Sequence, residues 1–239
     1  AVHGTAERLP FAAAGFDLLQ PEAGREGTAR FFDTIKCRHA MRRADGVEFP
    51  EIEIREVWDD VLRSLIRDGM ISGEVTEERA MRLAVEYECR VNPVWPMPDL
   101  AETLRGIRHA GLRLGIVSNA QFFTPLLFNA LCGEDPESLG FEPALCCWSY
   151  LRLEAKPSPR MFEEVLGELR KDGIAPEAVA YVGNDMRNDM LPAKRCGCGA
   201  VLFAGDVRSL RMREEDPDCR DVRPDAVILR LSQLVDCLR

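Results

Sequence analysis

The 239-residue sequence predicts an α/β protein with a parallel sheet and a separate helical insertion. From residue 99 onward, short apolar runs alternate with amphipathic helical patterns, which is typical of parallel strands joined by crossover helices. Residues 28–92 show helical periodicity instead. Polar residues directly follow three of the apolar runs, where open sheets of this class bind ligands. We therefore expect a Rossmann-like parallel core with helices on both faces, plus an inserted all-helical domain.

The helical block is expected to contain three amphipathic helices and no strand. They are predicted over residues 28–43, over residues 51–67, and from Thr76 onward. Thr76 is a preferred N-cap residue, and two glutamates follow it in the first turn. The pattern thus favours a domain built from helices alone.

A proline-punctuated connector at residues 92–98 separates this block from the rest of the chain. The expected division is residues 1–27 together with residues 93–239 for the α/β core, and residues 28–92 for the helical domain. Strands of the core are predicted where apolar runs end in polar or glycine residues, over residues 112–117, 144–148, 178–182, 200–203 and 226–231.

Composition excludes several classes of function. The 40 acidic residues outnumber the 31 basic ones, and a net charge of −9 disfavours nucleic acid or an anionic membrane as partner. No apolar run approaches the roughly 20 residues that cross a bilayer, and no signal peptide is visible. The nine cysteines follow neither a disulfide framework nor metal-ligand spacing. We expect a cytoplasmic protein that binds a small anionic ligand through local positive charge or a metal ion.

Candidate site residues lie at three predicted strand ends. Ser118 and Asn119 follow the first strand, Lys156 follows the second, and Asp185 and Asp189 follow the third. A serine–asparagine pair after a strand usually forms a turn, and a single lysine is usually solvated. Their succession, each after its own strand, is more specific. Two neighbouring carboxylates repel each other unless a cation lies between them, which favours Mg²⁺.

This order of motifs resembles the haloacid dehalogenase (HAD) superfamily of hydrolases. The sequence IVSNA at residues 116–120 resembles its second motif, KPSPRMFEEVL from Lys156 its third, and YVGNDMRND at residues 181–189 its fourth. The helical block stands where the superfamily inserts a helical cap of the C1 type between its first and second motifs. The resemblance covers residues 99–239 best.

The resemblance implies roles for these residues. Ser118 and Lys156 would bind the transferring phosphoryl group as catalytic and substrate-binding residues, and Asn119 would shape the substrate-binding loop. The implied ligands of Mg²⁺ are Asp185 and Asp189. Asn184 is a third candidate ligand, because it follows the glycine where many relatives carry the acid.

The first motif of the superfamily departs most from this chain. It should read Asp-x-Asp-Gly-Thr, whereas residues 1–5 read AVHGT. The nucleophile position falls on Ala1 and the acid–base position on His3, while Gly4 and Thr5 match and are expected in the substrate-binding loop. Three explanations are open: a truncated sequence, a replaced aspartate, or an aspartate directly before Ala1 in a motif one residue longer. Asp17, within Phe-Asp-Leu, is a weaker candidate nucleophile.

These residues predict a Mg²⁺-dependent phosphatase that acts on a small phosphorylated metabolite through an aspartyl-phosphate intermediate. The non-acidic His3 leaves a hydrolase similar to 2-haloacid dehalogenases as an alternative. Ala1 and His3 together leave a third alternative, a catalytically silent protein that uses the same fold to bind a ligand or partner.

Overall fold

A computed structural model describes residues 9–238, and the contacts divide the chain into two compact units. The first unit contains the described residues through Trp95, together with Gln121–Phe123. The second contains Pro96–Ala120 and the described residues from Thr124 onward. Residues 9–27 therefore group with the helices, whereas the sequence placed them with the sheet. The predicted boundaries at residues 28 and 92 stay a prediction.

The first unit is built on three helices, as the sequence predicts. They are α1 at Ala23–Ala44, α2 at Ile54–Arg67 and α3 at Glu77–Val91. Thr76 caps α3 by accepting a hydrogen bond from the Arg79 backbone N–H. The fully buried Trp58 stacks on Phe31, with the ring centroids 4.3 Å apart. Burial of these aromatic rings removes apolar area from water and so stabilises the packing of the helices.

A short antiparallel pair also belongs to the first unit. Strand β1 at Asp17–Leu18 pairs with β2 at Ile71–Ser72. The helical periodicity did not predict this pair, because two residues are too short to show a strand pattern. Asp17 lies exposed on β1, opposite Ser72.

The second unit alternates helices and strands, and the predicted strands are present. Its helices are α4 (Leu100–His109), α5 (Thr124–Cys132), α6 (Ser149–Arg152), α7 (Arg160–Lys171), α8 (Leu191–Arg195) and α9 (Leu234–Cys237). Its strands are β3 (Leu114–Ser118), β4 (Phe141–Trp148), β5 (Ala180–Gly183), β6 (Gly199–Phe203) and β7 (Ala226–Ile228).

The strands of the second unit pair in parallel, as predicted, but in two groups. β3 pairs with β4, and β5, β6 and β7 pair in that order. The sequence predicted one continuous sheet whose central strand would precede the first motif, and that position falls outside the described residues. Side chains connect β3 and β5 instead: the Tyr181 hydroxyl donates to the Val117 carbonyl at 2.7 Å.

Strand β6 illustrates how both faces are covered. Ala200 and Leu202 lie in a core cluster with residues of α7 and α8, whereas Val201 lies in a cluster with residues of α4 and α9. Successive side chains of a strand point to opposite faces, so helices pack on each side. None of the helices in the described part of the chain has the length and apolar character needed to cross a bilayer.

Candidate active site

A buried ion pair lies at the carboxyl ends of β3 and β5. The Lys156 ammonium donates to Asp189 Oδ1 at 2.6 Å, to the Tyr181 hydroxyl at 2.8 Å and to the Val117 carbonyl at 3.1 Å. The side chains of Lys156 and Asp189 are only 8% and 6% exposed. An ammonium has three N–H groups, so each has an acceptor here. The structure thus brings the predicted Lys156 and Asp189 together.

This network shifts the pKa values of Lys156 and Tyr181. Burial lowers the pKa of Lys156, but attraction to Tyr181 and Asp189 outweighs it and raises that pKa above its ordinary value. Burial raises the pKa of Tyr181 to about 12, although the neighbouring Lys156 opposes this. At neutral pH the network therefore holds an ammonium beside a neutral phenol.

Asn119 connects the end of β3 to the Lys156 backbone. Its Oδ1 accepts from the Lys156 N–H at 2.7 Å, and its Nδ2 donates to the Lys156 carbonyl at 3.2 Å. The preceding Ser118 ends β3 and is partly exposed, with its hydroxyl 3.4 Å from the Asn119 carbonyl. Asn119 therefore positions Lys156 in this structure, and the direct contact of Asn119 with substrate stays a prediction.

Asp189 is held by backbone as well as by Lys156. Its Oδ2 accepts from the backbone N–H groups of Asn184 and Asp185 at 2.9 and 3.0 Å. The carboxylate lies so close to Gly183 that a β-carbon at this position would overlap it. The glycine that ends β5 is therefore required by the close approach of Asp189.

Asp185 forms a second ion pair, with Arg213. The Arg213 Nε and Nη2 atoms donate to its two carboxylate oxygens at 3.0 and 2.5 Å. The N–H groups of Arg187 and Asn188, in a π-helical turn over Met186–Met190, donate to Oδ1. Burial raises the pKa of Asp185, but the hydrogen bonds from Arg213 and from these N–H groups lower it by a larger amount. The net shift of the pKa is therefore downward.

The three predicted metal ligands do not fit Mg²⁺ as the structure places them. Both oxygens of Asp185 and both of Asp189 already accept hydrogen bonds from protein donors, and Asn184 donates through Nδ2 to the Ser209 carbonyl at 2.7 Å. Across residues 9–238, no three His, Cys, Asp or Glu side chains form a group that could hold a metal ion. The positive charge beside each acid belongs to Lys156 or Arg213.

Comparison with known families supports the resemblance. Residues 17–197 match the haloacid dehalogenase-like hydrolases. The chain belongs to this family. The prediction of a HAD hydrolase with an α/β fold is therefore confirmed.

Similar members of the HAD family include phosphatases. A glyceraldehyde 3-phosphate phosphatase of Methanothermobacter thermautotrophicus is 27% identical over 60% of this chain and 58% of its own length. The phosphoglycolate phosphatase of Escherichia coli K12 is 32% identical over 44% of this chain and 38% of its own length. The chain thus spans less than two thirds of the length of these curated relatives.

A solved HAD structure similar to this one is a 2-haloacid dehalogenase from Pseudomonas syringae pv. Tomato DC3000. The two structures align over 94% of each chain, with a TM-score of 0.56 and 19% sequence identity. At this identity the likeness establishes a shared fold.

Two site residues escaped the sequence analysis of this HAD protein. Tyr181 lies within the fourth motif but was interpreted as a strand residue, since its pattern reports burial and not the direction of its hydroxyl. Arg213 lies beyond β6, and no local pattern connects it to Asp185. The predicted His3, Gly4 and Thr5 lie outside the described residues, as does Ala1.

Proposed function

We propose that this HAD-family hydrolase cleaves phosphate monoesters of small metabolites. The observation that carries the proposal is the buried Lys156–Asp189 pair, tied to the end of β3 by Asn119 and by the Val117 carbonyl. The Lys156 ammonium contacts the Val117 carbonyl, and Val117 directly precedes Ser118 at the end of β3. The phosphatases among the relatives support the same class of reaction.

The residues of this site would stabilise a phosphoryl group in the following way. Lys156 keeps its proton because its pKa is raised, so it supplies positive charge against the charge that develops on the phosphoryl oxygens. Binding requires Lys156 to exchange one of its acceptors, and the Val117 carbonyl is the most distant at 3.1 Å. The Ser118 hydroxyl would donate a further hydrogen bond.

The family implies an aspartate nucleophile that attacks phosphorus and releases the alcohol, after which water hydrolyses the aspartyl phosphate. The first motif lies outside the described residues, so this proposal assigns the nucleophile to no residue of the chain. A requirement for Mg²⁺ stays a prediction, and comparing turnover with Mg²⁺ and with a chelator would measure it.

The direct test is release of inorganic phosphate from phosphoglycolate, glyceraldehyde 3-phosphate and p-nitrophenyl phosphate by the purified chain. Lys156→Met should abolish release, since it removes the charge that faces the phosphoryl group. Lys171→Met is the matched control, because Lys171 is 68% exposed and pairs only with Glu168 among the described ion pairs.

The outcomes separate the three functions considered. Phosphate release that disappears in a Lys156→Met variant shown to be folded by circular dichroism, and that persists in Lys171→Met, supports the proposal. Full activity of Lys156→Met contradicts it. Halide release from 2-chloropropionate without phosphate release would support a dehalogenase. A well-folded chain with neither activity would support a binding protein.

A further inference from the structure

Asp185 was expected to bind a metal ion, but in the structure its partner is Arg213. The guanidinium binds both oxygens of Asp185, and the carboxylate is 10% exposed while Arg213 is 39% exposed. Two parallel N–H···O bonds are the strongest arrangement between arginine and a carboxylate. The most buried part of the pair is therefore the acid, and the arginine reaches it from solvent.

The backbone around Arg213 is adapted to this contact. Arg213 has a φ of 56°, a left-handed conformation that non-glycine residues adopt rarely and at some cost in free energy. Such conformations persist where surrounding contacts hold them. The conformation of Arg213 is thus maintained by its neighbours, and it is not the default of a free loop.

Those contacts come from residues 209–216, called the 209–216 segment below. The Arg211 N–H donates to the Asn184 carbonyl, and the Met186 N–H donates to the Arg211 carbonyl, each at 2.9 Å. Arg187 pairs with Asp216 at 3.0 Å, and the Asn184 side chain donates to Ser209. Backbone and side chains therefore fasten the segment to the fourth motif on both sides of Arg213.

The Arg213 contact determines whether Asp185 can bind a divalent cation. A metal ion needs free lone pairs of Asp185, and the guanidinium occupies one on each oxygen. The backbone N–H groups of Arg187 and Asn188 and the Asn188 side-chain amide donate to the remaining positions. A metal ion and the guanidinium also repel each other by charge, so they cannot share the carboxylate closely. A metal must displace Arg213 before Asp185 can act as its ligand.

We infer that Arg213 is a resident cation that competes with divalent metal ions for Asp185. Arg213 thereby lowers the metal affinity of the fourth motif and holds Asp185 in place when no metal is bound. The inference concerns the site of the proposed function, but metal binding is measured without any substrate. Failure of the phosphatase proposal would leave it intact.

The test is a titration of the full chain with Mn²⁺, followed by the electron paramagnetic resonance signal of free Mn²⁺. Arg213→Met removes the charge, and we expect Mn²⁺ to bind about three- to fivefold more tightly than to the wild type. Arg213→Gly is the second variant, because glycine adopts a φ of 56° without strain and so protects the fold.

Two controls isolate the effect of Arg213. Arg113→Met removes an arginine that binds Glu142 in the same two-bond manner and is 34% exposed, so its Mn²⁺ affinity should equal that of the wild type. The double variant Asp185→Asn with Arg213→Met should lose the gained affinity. Circular dichroism checks that each variant is folded.

Three results would overturn the inference. The first is Mn²⁺ affinity that is unchanged in both folded Arg213 variants. The second is a gain of equal size in Arg113→Met, which would indicate a general effect of net charge. The third is a gain that persists when Asp185 is replaced, since the metal would then bind elsewhere.

Discussion

The two acids of the fourth motif lie four residues apart, yet their ion pairs differ in burial. Lys156 and Asp189 are 8% and 6% exposed, whereas Arg213 is 39% exposed and its partner Asp185 is 10% exposed. A buried charge that loses its partner is costly, while a pair open to solvent exchanges partners readily. The comparison indicates that Lys156–Asp189 is a fixed part of the fold and that Arg213–Asp185 is an exchangeable contact.

Lys156→Met should have the largest effect on stability, because it leaves the Asp189 carboxylate buried beside an apolar side chain. We expect a loss of about 3 to 5 kcal/mol in the free energy of unfolding, measured by urea denaturation. The double variant with Asp189→Asn should lose less than the sum of the single changes. An additive result would show that the two side chains are not coupled.

Gly183→Ala should have the next largest effect on stability, since the new β-carbon would overlap the Asp189 carboxylate and push it away from Lys156. We expect a loss of about 1 to 3 kcal/mol, observed as a lower Tm. Gly167→Ala, on α7, is the matched control, because its β-carbon meets no other atom within 4 Å. That helical change should stabilise the protein by roughly 0.4 to 1 kcal/mol.

Tyr181→Phe removes one hydroxyl from the same network and should cost about 1 kcal/mol. The effect is smaller because the Lys156 ammonium keeps Asp189 and the Val117 carbonyl as acceptors. Chemical denaturation measures it. A loss as large as that of Lys156→Met would mean that the hydroxyl, and not the ion pair, holds the buried network together.

Arg213→Met should have the smallest effect at neutral pH, about 0.2 to 1 kcal/mol, because solvent reaches the pair. The pKa of Asp185 is lowered from 3.8 in the folded protein, so its contribution to stability is present above pH 3.8 and is lost as pH falls through the folded pKa. In Arg213→Met, the free energy of unfolding should therefore decrease less between pH 7 and pH 3. Unfolding of both proteins at pH 7 and pH 3 checks it, and equal pH dependence would contradict the assignment.

Much of the fold could be predicted because the signals are local. Helical periodicity identified α1, α2 and α3, and the Thr76 cap was read from one residue and its neighbours. The alternation of strands and helices predicted parallel pairing, since crossover connections require it. The separation of β3 from β5 could not be predicted this way, because a pattern of burial does not specify which strands are adjacent.

The site was predictable only where polar or charged residues come within a few residues of the end of a strand. Lys156 and Asp189 come after β4 and β5 and lie within hydrogen-bond distance of each other, as polar residues at the carboxyl ends of parallel strands often do. The partner of Asp185 was predicted to be a metal ion, and the structure places Arg213 there. The charge of Asp185 does not distinguish a metal ion from a guanidinium as its partner. Arg213 reaches Asp185 because of the path that the backbone takes after β6.

The attachment of the 209–216 segment also has a consequence for proteolysis. Arg211 and Arg213 are both positions after which trypsin cleaves, and cleavage requires several residues of extended, released backbone. Hydrogen bonds to Asn184 and Met186 hold this stretch in place, so trypsin can cut it only after it detaches. The rate of nicking there would therefore report how often the segment leaves the fourth motif.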